Sequence, residues 1–401
     1  MSTLSCSTPP ALAQAAERDA RQRASASVQA WLAASHPQGS VHALHTLQGP
    51  AQGHAVFACA VGIADASAAP PARRQIIAKC LPDSTFAATA RCTTRVWQLI
   101  QAAGTRVLGM PAVLHVDALR QVLLLEPARG ELLAALPASE PARLIDAVAR
   151  CSAALHELHQ LPTVGLLQAF GDPVIGECGG RTGMDAQLAE LMRPHPSDLA
   201  AGLVKQAPAS SRQLQQLVGR LQEAGAPCSD VAPCLVHRDS HPRQMFVGAA
   251  RVDLIDWDLC GLGDPALDLA NLHLHIDLRW PQLADQLHAC VTSSYGASAD
   301  VHRRLPLYLA FHHLRRACKA WRQAGGDLST PGPAGPWLAS AAAHLTDFQE
   351  GRAPVHGGVP RAVPSAVPSA VRSAVPSAVP SAAHKGWQPQ AASADTLEHP
   401  S

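Results

Sequence analysis

In the stretch Cys234-Leu-Val-His-Arg-Asp-Ser-His-Pro-Arg-Gln-Met-Phe-Val, followed by Leu254-Ile-Asp-Trp-Asp, carboxylates and a carboxamide stand at spacings that can do chemistry. The short apolar runs 245–247 and 252–255 read as two strands, with Gly248-Ala-Ala-Arg251 as the turn between them. A hairpin centred on Ala250 sets Gln244 opposite Asp256 at its open end, within cross-strand reach. Two oxygen donors so placed suit Mg²⁺, a hard cation held by one or two carboxylates together with substrate phosphates. Asp239, five residues before Gln244, is left free to act on a hydroxyl. That is an arrangement for phosphoryl transfer.

His237-Arg-Asp239 with a carboxamide five positions after the aspartate resembles the kinase catalytic-loop pattern H-R-D-x-x-x-x-N. The later run Ile255-Asp-Trp-Asp258, then Gly263-Asp-Pro-Ala-Leu-Asp268-Leu-Ala-Asn, is similar to the downstream signature of aminoglycoside phosphotransferases and their choline-kinase-like relatives. The likeness is close over residues 230–275, looser over 40–160 and 300–325, and absent at the termini. It implies an α+β, two-lobed protein-kinase-like fold, in which a small lobe pairs a five-stranded antiparallel sheet with one helix and the larger lobe is mostly helical. It also implies an enzyme that moves the γ-phosphoryl group of ATP to a hydroxyl of a small molecule such as a sugar, an amino alcohol or an aminoglycoside. On that resemblance Asp239 is the catalytic base, His237 buttresses its loop, and Gln244 and Asp256 hold the metal. Gln244 departs from the pattern, since most of the family has Asn there; the carboxamide oxygen is kept on one more methylene.

Nothing in the composition points to a nucleic-acid or membrane partner. The formal net charge is +1, so no basic field is available for phosphate backbones. No apolar run reaches the 18 residues of a membrane span, and the first residues lack the basic and apolar regions of a secretory leader. Eleven cysteines are scattered without a C-x-x-C pair, which reads as free thiols in a cytoplasmic setting. Oligomeric state is not legible.

The chain divides by pattern into an N-terminal helical extension (1–35), a small nucleotide-binding lobe (36–126), a large helical catalytic and acceptor lobe (127–350) and a tail rich in Val-Pro-Ser-Ala (351–401). Strands are expected at 41–47, 55–63 and 75–81, with a loop at 66–72. A helix at 86–103 stops at Gly104, and 112–116 and 121–125 form a hairpin. Glu126-Pro-Ala-Arg-Gly130 breaks the pattern, and the resemblance implies that a hinge near Glu126–Ala128 offers backbone groups to adenine. Helices are expected at 142–158, 184–193, 211–224, 265–278, 281–294, 304–323 and 337–349. In the tail, prolines about every four residues deny helix and sheet alike, so it reads as disordered.

Lysine occurs at only four positions, and Lys79 lies inside the strand-like Gln75-Ile-Ile-Ala-Lys-Cys-Leu. A phosphate-binding lysine and an exposed edge-strand lysine both fit that pattern; the catalytic loop favours the first. Gly49 and Gly53, between the first two strands, would let backbone amides approach phosphate oxygens, or simply make a turn. The helix 86–103 lacks the carboxylate that usually pairs with the strand lysine, leaving Asp83 as a poorly placed substitute. Asp264, before Pro265, reads as a helix N-cap, and Asp268 as structural. Asp258 should point away from Asp256 if the chain is extended there. Two further readings stay open. One is a nucleotide-binding pseudokinase that acts by interaction. The other is a glycosyltransferase using Asp256-Trp-Asp258 as its metal motif, which leaves Lys79 and the His-Arg-Asp loop without a role.

Overall fold

The structure is a computed structural model that describes residues 10–49, 54–65, 68–162, 184–192, 195–204, 208–296, 299–323 and 334–352. Helix α1 (Pro10–Ser35) leads into strands β1 (Ser40–Gln48), β2 (Ala55–Asp65) and β3 (Ala68–Cys80), then helix α2 (Asp83–Ala103). Gly104 caps α2 at φ 60°, the left-handed conformation that glycine adopts without a Cβ penalty. After β4 (Leu108–Gly109), β5 (Val113–Asp117) and β6 (Val122–Leu125) complete an antiparallel five-stranded sheet in the order β1-β2-β3-β6-β5. Alternating residues of β2 and β3 (Phe57, Cys59, Val61 and Ile76, Ala78, Cys80) pack with Ala24, Val28 and Trp31 of α1. The helix expected at the N-terminus thus seals one face of the sheet.

The loop expected at 66–72 is not a loop in its second half. β3 begins at Ala68 and pairs with β2 through Asp65↔Ala68 and Ile63↔Ala72. Its prolines, Pro70 and Pro71, are tolerated because β6 pairs with β3 only over Ile77–Cys80. Over 68–76 no described strand lies on the other side, and the β2–β3 register shifts opposite these prolines, between Ile63↔Ala72 and Asp65↔Ala68, so neither missing N–H interrupts a regular ladder.

Beyond β6 the chain is mainly helical: β7 (Glu131–Leu132), α3 (Pro141–His159), α4 (Met184–Leu191), α5 (Pro196–Leu203), α6 (Pro208–Gly225), α7 (Pro265–Arg279), α8 (Ala284–Tyr295), α9 (Ala299–Gln323) and α10 (Gly335–Gln349). The apolar positions of α3 recur at helical spacing (Leu144, Ala147, Val148, Cys151, Leu155, Leu158) and are buried in one core with α6, α7 and α9. Among the helices, α5 is absent from the sequence reading, while the others fall within a few residues of it. Between α6 and α7 lie β8 (Cys234–Val236), β9 (Met245–Val247), β10 (Val252–Leu254) and β11 (Gly261–Gly263), forming the sheet β4-β10-β9-β7 and the pair β11-β8. No described helix is long and apolar enough to cross a membrane. Gly53 and the Val-Pro-Ser-Ala segment lie outside the described residues.

The free-thiol reading needs one correction. Cys92 on α2 and Cys260 after β10 form a disulfide-bonded pair, because α2 packs against the turn that follows Asp256. A contact between residues 168 apart in sequence leaves no local signal. Cys59, Cys80, Cys151, Cys228, Cys234, Cys290 and Cys318 are free.

Candidate active site

The β9–β10 hairpin forms, one residue out of the expected register. Its pairs are Met245↔Leu254 and Val247↔Val252, and the Ile255 N–H donates to Gln244 O at 3.0 Å. Gln244 is therefore level with Ile255, and an extended chain would turn Asp256 to the wrong face. Asp256 instead adopts φ 67°, ψ 61°. That left-handed kink, uncommon for a residue with a Cβ, swings its carboxylate back until Gln244 Nε2 donates to Asp256 Oδ2 at 3.1 Å. The two residues meet, by a different route from the one the spacing suggests.

A single helical turn over Trp257–Leu259 follows, and it overturns the expectation for Asp258. The chain is coiled rather than extended there, so both carboxylates face one point. Lys79 Nζ donates to Asp256 Oδ1 at 2.6 Å and to Asp258 Oδ1 at 2.5 Å. Lys79 is 6% exposed on the central strand β3, which rules out an edge lysine. Burial works against its ammonium, but the two carboxylates outweigh that and hold its pKa above the ordinary value. Burial also opposes the Asp256 carboxylate, yet Lys79 beside it keeps its pKa below the usual range. For Asp258, burial wins and the pKa is raised. His54, at the start of β2, places Nδ1 3.9 Å from Asp258 Oδ2, and burial followed by the Lys79 charge lowers its pKa. Asp83 is engaged elsewhere, accepting from Gln121 Nε2 at 3.1 Å.

The donor chemistry here fits a divalent cation. One ligand atom each from His54, Asp256 and Asp258 lies within 4.8 Å of the others, and the Gln244 carboxamide adjoins them. Carboxylate and carboxamide oxygens are hard donors, as Mg²⁺ requires.

Asp239 stands on the loop between β8 and β9, whose shape is set by Asp268 on α7. The fully buried Asp268 carboxylate accepts the backbone N–H of His237 and of Arg238, each at 2.7 Å, and the Ser240 hydroxyl at 3.0 Å. His159 Nε2 on α3 adds a contact at 3.1 Å. These bonds hold Arg238 at φ 64°. His237 is buried, with Nε2 2.8 Å from Ile255 O and its ring 4.7 Å from that of Trp257, so it ties the loop to the Asp256 turn. Asp239 Oδ1 lies 3.7 Å from Arg315 Nη1, and its Oδ2 lies 3.6 Å from His241 Nε2. Asp264 caps α7, accepting from Ala266 N at 2.9 Å.

The remaining expected residues border this group. The Glu126 N–H donates to Ala112 O at 2.9 Å, and its side chain pairs with Arg129 at 3.0 Å. The Arg129 N–H donates to Asp253 Oδ2 at 2.8 Å, and Gly130 at φ 103° passes so close to Val247 and Gly248 that a Cβ would collide with their backbone. The segment after Glu126 is thereby fixed to the back of the hairpin. Gly49 ends β1 with open space where a Cβ would stand, so no close backbone approach demands glycine there.

The family model described as phosphotransferase enzyme family matches residues 71–297, more than half of the chain. The chain belongs to that family. Among solved structures, this phosphotransferase is similar to the gentamicin complex of APH(2")-IIa at a TM-score of 0.51 and 15% identity, over 80% of this chain and 95% of that one. A choline/ethanolamine kinase family protein from Mesorhizobium loti matches at a TM-score of 0.45 and 17% identity, over 82% and 94% of the respective chains. The first similarity supports the two-lobed kinase-like fold. A comparison with curated proteins gave no match.

Three residues of this cluster escaped the sequence reading. Asp258 was read as facing away, and His54 sat in a stretch read only for its glycines. Arg315 lay on an expected helix with no feature to single it out.

Proposed function

We propose that this phosphotransferase moves the γ-phosphoryl group of ATP to a hydroxyl of a small molecule. The observation that carries the reading is the convergence on one point of Lys79 from the five-stranded sheet and of Gln244, Asp256 and Asp258 from the hairpin, with Asp239 on the adjoining loop. Lys79 would neutralise charge on the phosphates. Gln244 and Asp256, with Asp258 beside them, would hold Mg²⁺, which when bound supplies charge stabilisation to the phosphates. The acceptor hydroxyl oxygen forms the new bond to phosphorus and its proton passes to the Asp239 carboxylate. The bond from phosphorus to the bridging oxygen breaks, and ADP leaves with the electron pair. Positioning and electrostatics are the greater part of such catalysis.

A second reading, nucleotide binding without transfer, draws on one feature: Lys79 takes both of its carboxylates from the Asp256 turn and none from α2. One experiment separates the two. In a screen of hydroxylated metabolites and antibiotics, ADP release should depend on the acceptor. Asp239→Asn should lower kcat by roughly 10²–10⁴-fold, the range for losing a general base. Near-normal turnover in that variant removes the base assignment, and nucleotide binding with no acceptor-dependent release favours the second reading.

A further inference from the structure

Basic side chains gather around Asp239: Arg315 Nη1 lies 3.7 Å from Oδ1 and His241 Nε2 lies 3.6 Å from Oδ2, and the Asp239 and Arg243 charges both act on Arg316. Arg315 and Arg316 project from α9, His275 from α7, and His241 and Arg243 from the loop itself. Elsewhere in the helical part, buried arginines have carboxylates of their own: Arg238 pairs with Glu190, and Arg304 with Asp264. Arg315 is different. Among the described residues its carboxylate neighbour is Asp239 at 3.7 Å, and its guanidinium donates to the Arg238 carbonyl at 3.2 Å. Among the described residues no ion pair engages Arg243 or Arg316. Arg316 is half-buried, its guanidinium 5.5 Å from the centre of the Trp337 ring, which fixes its stem and leaves its N–H groups for another partner.

The charges gathered here act on one another. Burial and the neighbouring Arg315 charge push the Arg316 pKa down, with Asp239 pulling the other way and Arg243 adding to the fall. The His275 ring lies 4.8 Å from that of His241. Burial, then His241, Arg316, His312 and Lys319 all lower its pKa, which keeps the imidazole neutral. Among the described residues, Asp239 is the carboxylate that acts on both Arg315 and Arg316.

We infer that the acceptor of this phosphotransferase carries a negatively charged group, a carboxylate or a phosphate monoester, which Arg316 and Arg243 bind while its hydroxyl lies against Asp239. The inference rests on the phosphotransferase reading for the word acceptor, but the recess itself is defined by the arginines. A guanidinium fork matches the planar carboxylate and the phosphate oxygens, and an anion between Arg243 and Arg316 supplies the charge the recess lacks. Arg315, held by the Arg238 carbonyl, lies against the Asp239 carboxylate that would accept the proton. An amine-rich acceptor would meet like charge from Arg243, Arg315 and Arg316.

The test uses four compounds on one three-carbon frame: glycerate, glycerol 3-phosphate, glycerol and 3-amino-1,2-propanediol. Binding to the full chain with Mg·ATP analogue present is measured by calorimetry, and phosphoryl transfer from ATP is measured separately. At least one anionic compound should bind tenfold or more tighter than glycerol, with the aminodiol weakest; glycerate against glycerol 3-phosphate tells carboxylate from phosphate. Arg316→Gln should weaken the anion about tenfold, raising its KM more than it lowers kcat, and Arg316→Lys should recover part of the loss. Arg243→Gln, at an exposed position that does not threaten folding, should act in the same direction. Tighter binding of the aminodiol, equal or undetectable binding of all four, or a change confined to the KM for ATP would overturn the inference. Anion binding without transfer would instead count against the phosphotransferase reading and leave this recess intact, whereas transfer to the aminodiol alone would do the reverse.

Discussion

Asp268→Asn tests how the catalytic loop is held. Four donors converge on this fully buried carboxylate: two backbone amides, the Ser240 hydroxyl and His159 Nε2. An amide in its place turns an NH₂ group toward donors, so about two of the four bonds are lost. At roughly 1.5–3 kcal/mol for each hydrogen bond to a charged group, the cost is about 3–6 kcal/mol, close to the range found for breaking a buried charged pair. At roughly 2–4 °C per kcal/mol for a large domain, this lowers Tm by about 6–24 °C. Acid titration supplies the sign. Burial raises the Asp268 pKa, but the hydrogen bond and charge of His159 outweigh it and hold it below its ordinary value. A depressed folded-state pKa means that the stabilisation is complete above the unfolded value, near ~4, and is lost as pH falls through the folded one. Thermal melts of wild type and variant from pH 7 downward should therefore show a wide gap that closes in acid. A gap under 2 °C at neutral pH, or one that persists undiminished in acid, would refute the account.

Three other outcomes are expected. Gln244→Leu should raise the Mg²⁺ concentration needed for half-maximal ATP turnover while Gln244→Asn stays near wild type, and Asp256→Ala should be worst; equal Mg²⁺ dependence in wild type and Gln244→Leu would end the shared-site assignment. Asp258→Asn separates a metal ligand from an anchor for Lys79: an anchor raises the KM for ATP at constant Mg²⁺ requirement, and a ligand moves the Mg²⁺ requirement itself. Burial, with Asp285 adding to it, pushes the Asp277 carboxyl up to about 7. Its raised folded-state value favours folding less and less as pH climbs from ~4 through 7, so Asp277→Asn should raise Tm at pH 8 by more than at pH 5, with an upper bound of about 4 kcal/mol; an equal effect at both values would contradict this.

The two halves of the site differed in how far sequence could reach them. The His-Arg-Asp loop, the hairpin and the buried strand around Lys79 are local patterns, and local patterns fix neighbours along the chain. The expected register failed by one residue because symmetry about Ala250 assumes that both arms stay extended through Asp256. The structure bends at Asp256 instead, and one left-handed residue is invisible to alternation counts. The same bend explains Asp258, whose direction was inferred from an extended chain that is not there. β4 and β7, at two residues each, are too short to show periodicity, and each exists only because β10 and β9 offer an edge. The basic recess was hidden for another reason: Arg243, His275, Arg315 and Arg316 come from three elements, and nothing in any one of them marks the others. Helix N-capping by Asp264 was legible because the cap and its helix are contiguous.

The outer half of β3 has a bearing on how copies of this protein behave in company. Over residues 68–76 the strand has β2 on one side and no described strand on the other, so an incoming chain could in principle extend the sheet there. Amides of neighbouring residues point to opposite edges of a strand, so one of Pro70 and Pro71 withholds an N–H donor from any such visitor, and the exposed Arg73 and Arg74 set positive charge against the same residues of a second copy. Prolines and exposed charge are common defences of strand edges against aggregation. The stretch expected to be a loop thus ends in a strand whose edge resists recruitment by its own kind.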